Sequence, residues 1–381
     1  MKKYLVIAAA ALALAACSKS EVFAPAAAEI DFAPNALSTK ALILPDSSSP
    51  EQLAFPTSES FNVFAFADLD GTGTQYATNY RTPLMQDVNI SYQNGDWKAT
   101  PVLDPATGEN KVYLWPATGT VDFYAYYPAE LEAAFDTVST PKHIKINNIE
   151  LGTAVGQQID PLVASVLGQV AKNKPKVGLV FKHITSQIAV TAFDATETKS
   201  LRGKISIEKV VFKNMKTSGD YTEGTTVGKG AWNNVNHTTD FTSFQGLEVL
   251  DTLESYLSAG AFSASIDNSA AFVVVPEDIA AVDTLNKTHQ AIEVSYRIAA
   301  YTINGFNYPA TPTQTVSIPL YNRVSANRFQ NGKRYIFHLG LSLDGANNEI
   351  MFAPKVEGWD TEDINGITVD VINACLMTVQ P

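Results

Sequence analysis

Cysteine is nearly absent. Two of 381 residues are Cys, Cys17 and Cys375, which excludes a disulfide framework as the organising device. The five histidines are scattered, so the sequence offers no His/Cys metal cluster and calls for no cofactor. Charge is scarce as well. Asp, Glu, Lys and Arg make up 17% of the chain, well below the roughly 25% of ordinary soluble domains. What charge there is leans acidic, with 27 Lys plus Arg against 39 Asp plus Glu and a formal net charge of −12. No basic block interrupts this balance, which argues against a nucleic-acid partner, since phosphates reward clustered Lys and Arg. No Ser/His/Asp spacing, nucleophile elbow or motif-borne acidic pair is visible, and the expectation is that the chain is not an enzyme.

Other residue types fill the gap. Hydrophobic residues are 45% and aromatics 10%, with abundant Thr, Asn, Ser and Ala. That composition suggests a β-rich, extracytoplasmic protein. At about 150 residues per domain the length suggests two domains.

The amino terminus reads as an export signal over residues 1–16. Lys2 and Lys3 form a positive n-region, and the apolar run from Tyr4 is too short to span a ~30 Å hydrocarbon core. It ends in Leu14-Ala15-Ala16-Cys17, which is similar to a bacterial lipobox. Such a site needs a thiol to carry diacylglycerol and small flanking residues to fit the peptidase. Cys17 is therefore the expected lipid-attachment residue, bearing diacylglycerol and an acyl (palmitate-type) chain. Loss of Lys2 and Lys3 lowers the basic count from 27 to 25 against 39 acidic residues, a net charge of −14. Cys375 then has no intramolecular partner and reads as a small buried hydrophobe in a strand-like segment, 369–377. Elsewhere no segment reaches 18 apolar residues, so lipid is the expected membrane attachment.

Residues 17–50 are punctuated by Pro25, Pro34, Pro45 and Pro50 and read as a tether that includes a first strand. Within it, 28–32 and 41–44 are short apolar patches able to pair. Beyond it β signals dominate. Asn94-Gly95 lies between Ile90-Ser91-Tyr92 and Trp97, the strongest short hairpin signal, and Asn304-Gly305 is a second. In 121–127, Val121, Phe123, Ala125 and Tyr127 alternate with Asp122, Tyr124 and Tyr126. Segments 177–181, 187–193, 204–211, 271–275, 291–300, 315–320 and 334–343 are short and bounded by turn residues. Two segments carry helical alternatives. In 158–170 the spacing of Ile159, Leu162, Val163, Val166, Leu167 and Val170 fits a helix capped by Asp160, while a strand from Leu162 competes. Leu247, Leu250, Leu253 and Leu257 fit one short helix. Many short strands argue for β-sandwiches. The expected layout is one sandwich over 51–172 and a second over 173–381, with a linker at 172–176.

Several features invite a chemical reading, and each has a plainer one. Asp68-Leu69-Asp70-Gly71-Thr72-Gly73 resembles part of a Ca²⁺ loop but lacks a third acidic ligand, so a polar turn is favoured. His183 at a strand end reads as a satisfied structural histidine. Lys199, Arg202, Lys204, Lys209, Lys213 and Lys216 fall at strand-like spacing and read as a solvated face. Tyr124, Tyr126 and Tyr127 are candidates for stacking on sugars, with core packing favoured.

These residues carry a family resemblance. The lipobox, Ser38-Thr39-Lys40-Ala41, Phe61-Asn62-Val63-Phe64-Ala65 and Leu114-Trp115-Pro116 occur in order. So do Val121-Asp122-Phe123-Tyr124-Ala125-Tyr126-Tyr127-Pro128, Asp160-Pro161-Leu162-Val163-Ala164 and Phe181-Lys182-His183-Ile184-Thr185-Ser186-Gln187-Ile188. Asn331-Gly332-Lys333-Arg334-Tyr335-Ile336-Phe337 and Val356-Glu357-Gly358-Trp359 complete the series. Together they resemble the fimbrillin family of Bacteroidales type V pili. The resemblance implies an all-β fold of two tandem transthyretin-like (Greek-key) β-sandwiches in an outer-membrane lipoprotein. It also implies donor-strand exchange. A trypsin-like protease removes the first strand, and the groove accepts a strand from another fimbrial subunit. Residues 366–379 are the candidate donor. The usual arginine is missing before Arg81, so Lys40-Ala41 is the candidate processing site. Partners would then be other subunits and host or bacterial surface ligands. The alternative is a glycan-binding surface lipoprotein of a nutrient-uptake system.

Overall fold

The computed structural model describes residues 28–36, 53–68, 82–117, 119–136, 143–170, 176–250, 271–343 and 349–358. Cys17, Lys40, Ala41, Asp70, Cys375, residues 172–175 of the expected 172–176 linker and 366–381 lie outside the described residues. Regular structure within them is entirely strand apart from two short 3₁₀ turns.

The first sheet runs β10 (Val177–His183), β9 (Leu162–Val170), β6 (Thr120–Tyr127), β3 (Ser60–Asp68), β4 (Thr82–Gln93), β5 (Asp96–Ala99), β1 (Phe32–Ala36) and β2 (Leu53–Ala54). Strand β1 also pairs with β10, so the sheet closes on itself. A four-stranded sheet orders β14 (Phe272–Val274), β11 (Ser186–Asp194), β19 (Lys333–Ser342) and β20 (Glu349–Gly358). Facing it, a third sheet orders β18 (Gln314–Pro319), β15 (Ala291–Ile298), β12 (Ile205–Thr222), β8 (His143–Glu150) and β7 (Glu132–Asp136), with β13 (Ala231–Val249) on the other edge of β12. A separate ribbon pairs β16 (Tyr301–Ile303) with β17 (Phe306–Tyr308). Both expected hairpins form. Asn94 and Gly95 have φ of 51° and 94°, and Asn304 and Gly305 have 50° and 82°, the left-handed values that a type I′ turn needs at both positions.

Hydrophobic burial makes three cores. One is enclosed by the first sheet and includes Phe32, Phe61, Phe123 and Phe181. A second lies between the two later sheets around Phe212, Phe241, Phe272 and Phe337. The third explains why β3 and β6 are apolar on both faces. Their odd-numbered residues Phe61, Val63, Val121, Phe123 and Ala125 fill the first core. Their alternates Phe64, Phe66, Tyr124 and Tyr126 pack with Ile144, Ile146 and Ile149 of β8. Phe135 on β7 lies 4.3 Å from Phe66 and 4.7 Å from Tyr124, ring centre to ring centre. Tyr124 and Tyr126 are therefore core residues and take no part in a sugar platform.

Of the two readings open for 158–170 the strand from Leu162 holds, and the helical alternative at Leu247 does not. Residues Leu162–Val170 are strand β9, because Phe123↔Val166, Tyr124↔Ser165 and Ala125↔Ala164 pairing with β6 satisfies their backbone in a sheet. Leu247 lies in β13, where Ser206↔Val249 and Ile207↔Glu248 pairing with β12 continues the ladder. Leu250 follows as a buried residue whose N–H donates to Ile205 O, and Leu253 and Leu257 lie outside the described residues. The expected 172/173 boundary falls between β9 and β10, which pair with each other through Lys182↔Val163 and His183↔Leu162.

The far end of β12 buries an acid. Tyr221 donates to Glu223 Oε2 (2.6 Å), Gly228 N–H donates to Glu223 Oε1 (2.8 Å), and Gly230 N–H donates to Tyr221 Oη (2.9 Å). A Cβ on Gly230 would stand 2.2 Å from Thr222 O, so only glycine lets the loop close this tightly. Burial pushes the Glu223 carboxyl up to about 7 from 4.5, against the opposing pull of its two hydrogen bonds. The folded state thus holds this proton more tightly than the unfolded chain. Below about 4.5 the group is neutral in both states. As pH rises through about 7 the fold must ionise a buried acid and stability falls. Glu223→Gln is expected to remove a loss of about 2–3 kcal/mol between pH 5 and pH 8. Urea midpoints of both proteins at the two pH values check it, and an unchanged pH dependence in the variant contradicts it.

Candidate functional site

The amino-terminal segment 28–36 is built into the first sheet by alternation. Ile30, Phe32 and Pro34 point inward and are buried, while Glu29 and Ala33 are exposed. Three sets of main-chain bonds hold it. Trp115 N–H donates to Ala28 O and Ile30 N–H to Tyr113 O, both at 2.9 Å. Val177 N–H donates to Asp31 O at 2.8 Å. From there β1 runs parallel to β10 in register from Phe32↔Val177 to Ala36↔Phe181, with Phe32↔Trp97 on the β5 side and Asn35↔Ala54 and Ala36↔Leu53 on the β2 side.

The side chains hold it more firmly than this ladder does. Phe32 stands edge-on to Phe61 (6.1 Å) and Phe123 (5.8 Å). Around these rings Phe55, Trp97 and Phe181 continue the aromatic cluster, with Phe55–Phe181 and Phe61–Phe181 both at 5.1 Å. Burying Ile30 and Phe32 is worth about 1.5–3 kcal/mol each. Outside, Lys98 Nζ lies 3.8 Å from Glu29 Oε2 and 3.7 Å from Asp31 Oδ1, partly exposed pairs of small value. The ladder itself is short and parallel, and Pro34 contributes no N–H to it. Withdrawing 28–36 would therefore open a groove between β10 and β5, floored by aromatic rings, with the edges of both strands unpaired.

The wall formed by β10 is fastened independently of β1. His183 is buried, with Nδ1 2.7 Å from Asp160 Oδ2, and Thr185 Oγ1 donates to Asp160 Oδ1 at 2.7 Å. Asp160 thus clamps the β10–β11 turn instead of capping a helix. Trp232 Nε1–H donates to Ile184 O (2.8 Å), and Gly332 N–H donates to Thr185 O (2.8 Å). Gly332 has a φ of 65° and comes so close that a Cβ would lie 3.2 Å from His183 O. His183 accordingly has the structural role that its place at a strand end suggested.

The basic residues around 199–216 do not form one surface for a polyanion. Lys213 pairs with Asp240 and lies 3.8 Å from Glu293, and Arg202 Nε–H donates to Thr196 O. Among the described residues no group of three or more His, Cys, Asp or Glu is placed to hold a metal ion. No helix among them is long and apolar enough to cross a membrane. Sequence reading found the strand-forming patch at 28–32 but not its parallel pairing with β10, for which alternation carries no signal. Because Phe32 fills the aromatic cluster, Phe32→Ala is expected to cost about 3–5 kcal/mol. Urea unfolding of the full chain measures this, and a loss below 1 kcal/mol would show that β1 is not anchored by its ring.

Comparison with known proteins follows this geometry. A fimbrillin-like family model matches residues 39–359. That match begins after β1 and one residue before Lys40. No curated protein matches the sequence. A fimbrial protein from Bacteroides vulgatus ATCC 8482 is similar in structure with a TM-score of 0.54 and 14% identity, covering 87% of this chain and 99% of its own. A cell adhesion protein from Bacteroides uniformis ATCC 8492 gives a TM-score of 0.45 and 18% identity, over 87% and 99% of the two chains. The tip fimbrial protein Mfa3 from Porphyromonas gingivalis gives 0.36 and 9%, over 79% and 94%. The B. vulgatus protein shares the overall fold, and the family match spans most of the sequence. The chain belongs to the fimbrillin-like family.

Proposed function

We propose that this protein is a fimbrial subunit, structural and adhesive, that assembles by exchanging its own β1 for a strand from a neighbour. Family membership supports a cell-surface, non-enzymatic role. The observation that carries the mechanism is the construction of 28–36. It lies upstream of Lys40, closes the first sheet through a short parallel ladder, and plugs the core with Ile30 and Phe32. In this reading Cys17 carries lipid and holds the precursor at the outer membrane. Cleavage at Lys40-Ala41 then releases β1. The incoming strand restores the main-chain bonds to β10 and β5 and refills the Phe32 pocket. No nucleotide is needed, since one strand replaces another of similar burial. Residues 366–379 supply the donor.

Two experiments test the proposal. Trypsin added to purified precursor is expected to yield SDS-resistant ladders on unboiled gels. Lys40→Gln should abolish them, and so should deletion of 366–381. Mass spectrometry of the surface-exposed protein is expected to find a mature terminus at Ala41. A terminus at acylated Cys17 in assembled material would sink the cleavage step. Ladders that persist without 366–381 would remove that segment as donor.

A further inference from the structure

The rim of the groove that holds β1 is charged, in a chain with little charge. Lys98 on β5 has two ion-pair partners among the described residues, Glu29 at 3.8 Å and Asp31 at 3.7 Å. Both belong to the amino-terminal segment. On the other side Asp31 O accepts from Val177 N–H, and the residue before Val177, Lys176, pairs with Asp96 of β5. Phe32 is paired with Trp97 in the antiparallel β1–β5 register, so one step along each strand sets Asp31 opposite Lys98 on the outer face. Asp31 Oδ1 is shut off from water and accepts no hydrogen bond among the described residues, which leaves the Lys98 ammonium to balance its charge.

Loss of β1 would upset this balance. Lys98 would lose both partners, while Lys176 would keep Asp96. The rim would then hold two cations and one carboxylate, an excess of one positive charge beside an apolar floor. The strand that suits such a groove has one acid on its outward face, an apolar residue turned inward on each side of that acid, and no base.

Residues 366–379 meet this description at one position. They contain one acid, Asp370, and no Lys, Arg or His. Val369 and Val371 flank Asp370 as Ile30 and Phe32 flank Asp31. A slip of one residue would turn Asp370 into the aromatic core, where an unpaired carboxylate is costly. A slip of two residues keeps the faces but sets Thr368 or Ile372 opposite Lys98 and leaves the ammonium without an acid.

We infer that Lys98 sets the register of the incoming strand by pairing with Asp370 of the neighbouring subunit, while Val369 and Val371 take the inward places of Ile30 and Phe32. This deepens the strand-exchange reading, on which it rests, by naming the residue pair that selects one register. Val-Asp-Val reads the same in both directions, so the pair fixes position along the groove and leaves strand polarity open. Because the pair stands at a partly exposed rim, it contributes more to selection than to tightness.

The test mixes two forms of the full-length precursor, both carrying Cys17→Ser and Cys375→Ser so that no native thiol competes. One form carries Lys98→Cys, and the other carries Thr368→Cys, Asp370→Cys or Ile372→Cys. Trypsin and oxidised glutathione are added, and disulfide-linked pairs are read on non-reducing gels. Linkage through Asp370→Cys is expected to exceed the other two about fivefold, because directly opposite residues lie within disulfide reach and diagonal ones do not. Charge gives a second readout. Asp370→Asn should slow ladder growth about threefold in the parent and leave it unchanged in Lys98→Met, where the partner is already gone. Linkage that favours position 368 or 372, equal linkage at all three, no linkage in ladders that do form, or equal slowing with and without Lys98 overturns the inference and leaves strand exchange standing. No ladders from the parent, or ladders that survive deletion of 366–381, would sink the donor reading and this inference with it.

Discussion

Main-chain hydrogen bonding at the β10–β5 gap is the constraint on which the first half of the structure depends. A sheet that curves to enclose Phe61, Phe123 and Phe181 brings its two ends close without letting them meet. Unpaired N–H and C=O groups beside a greasy cavity are costly, and an open edge invites pairing with any passing strand. Strand β1 satisfies both edges at once and closes the cavity with Ile30 and Phe32. The remaining strands of this sheet are joined in antiparallel ladders, several with long registers such as β3–β6 and β6–β9. Closure is therefore complete, yet it depends on the one strand whose ladder is parallel and short.

The low charge of the chain follows from the same geometry. Strands β3 and β6 are buried on both faces, because β7 and β8 leave the first sheet region and pair into the later one through β12. Each doubly buried strand has no solvent face on which to place ions. Tyr126 shows the compromise at the margin. Its hydroxyl donates to Asp87 Oδ1 and accepts from Asn62 Nδ2 at 2.9 Å, a polar contact set inside an otherwise aromatic layer. Burial and the adjacent carboxylate push its ionisation well above the ordinary tyrosine range, so it stays a neutral donor.

Much of this was legible in the sequence, and the failures share a cause. Asn94-Gly95 and Asn304-Gly305 predicted hairpins because their turn chemistry is local. The alternation in 121–127 predicted a strand for the same reason. Residues 158–170 were ambiguous because a strand buried on both faces at its start and exposed towards its end breaks the two-residue alternation and mimics helical spacing. Leu247 misled because leucines three apart suggest a helix, while the partner that decides the matter, β12, lies some forty residues upstream. The parallel β1–β10 pairing joins residues separated by about 145 positions, and no local pattern encodes it. For Tyr124 and Tyr126 core packing, the favoured reading, holds, because β7 and β8 form a second layer over them.

The proposed strand exchange would place opposite demands on the two ends of β10. The side facing β1 must release its partner, while the strand itself must stay in position to receive the next. The hydrogen bonds divide along that line. Residues 177–181 carry the parallel register to β1. Residues 182–185 carry the antiparallel pairs to β9, the Asp160 clamp on His183 and Thr185, the Trp232 bond and the Gly332 bond. The fixed end is tied to β9, to Asp160, to Trp232 of β13 and to Gly332 before β19, none of them through β1. Its donors and acceptors are buried and paired, so opening them is expensive. The releasable end relies on two apolar side chains and a ladder interrupted by Pro34. In the proposed replacement a groove built this way would keep its shape, because the contacts that define its walls are separate from the contacts that fill it.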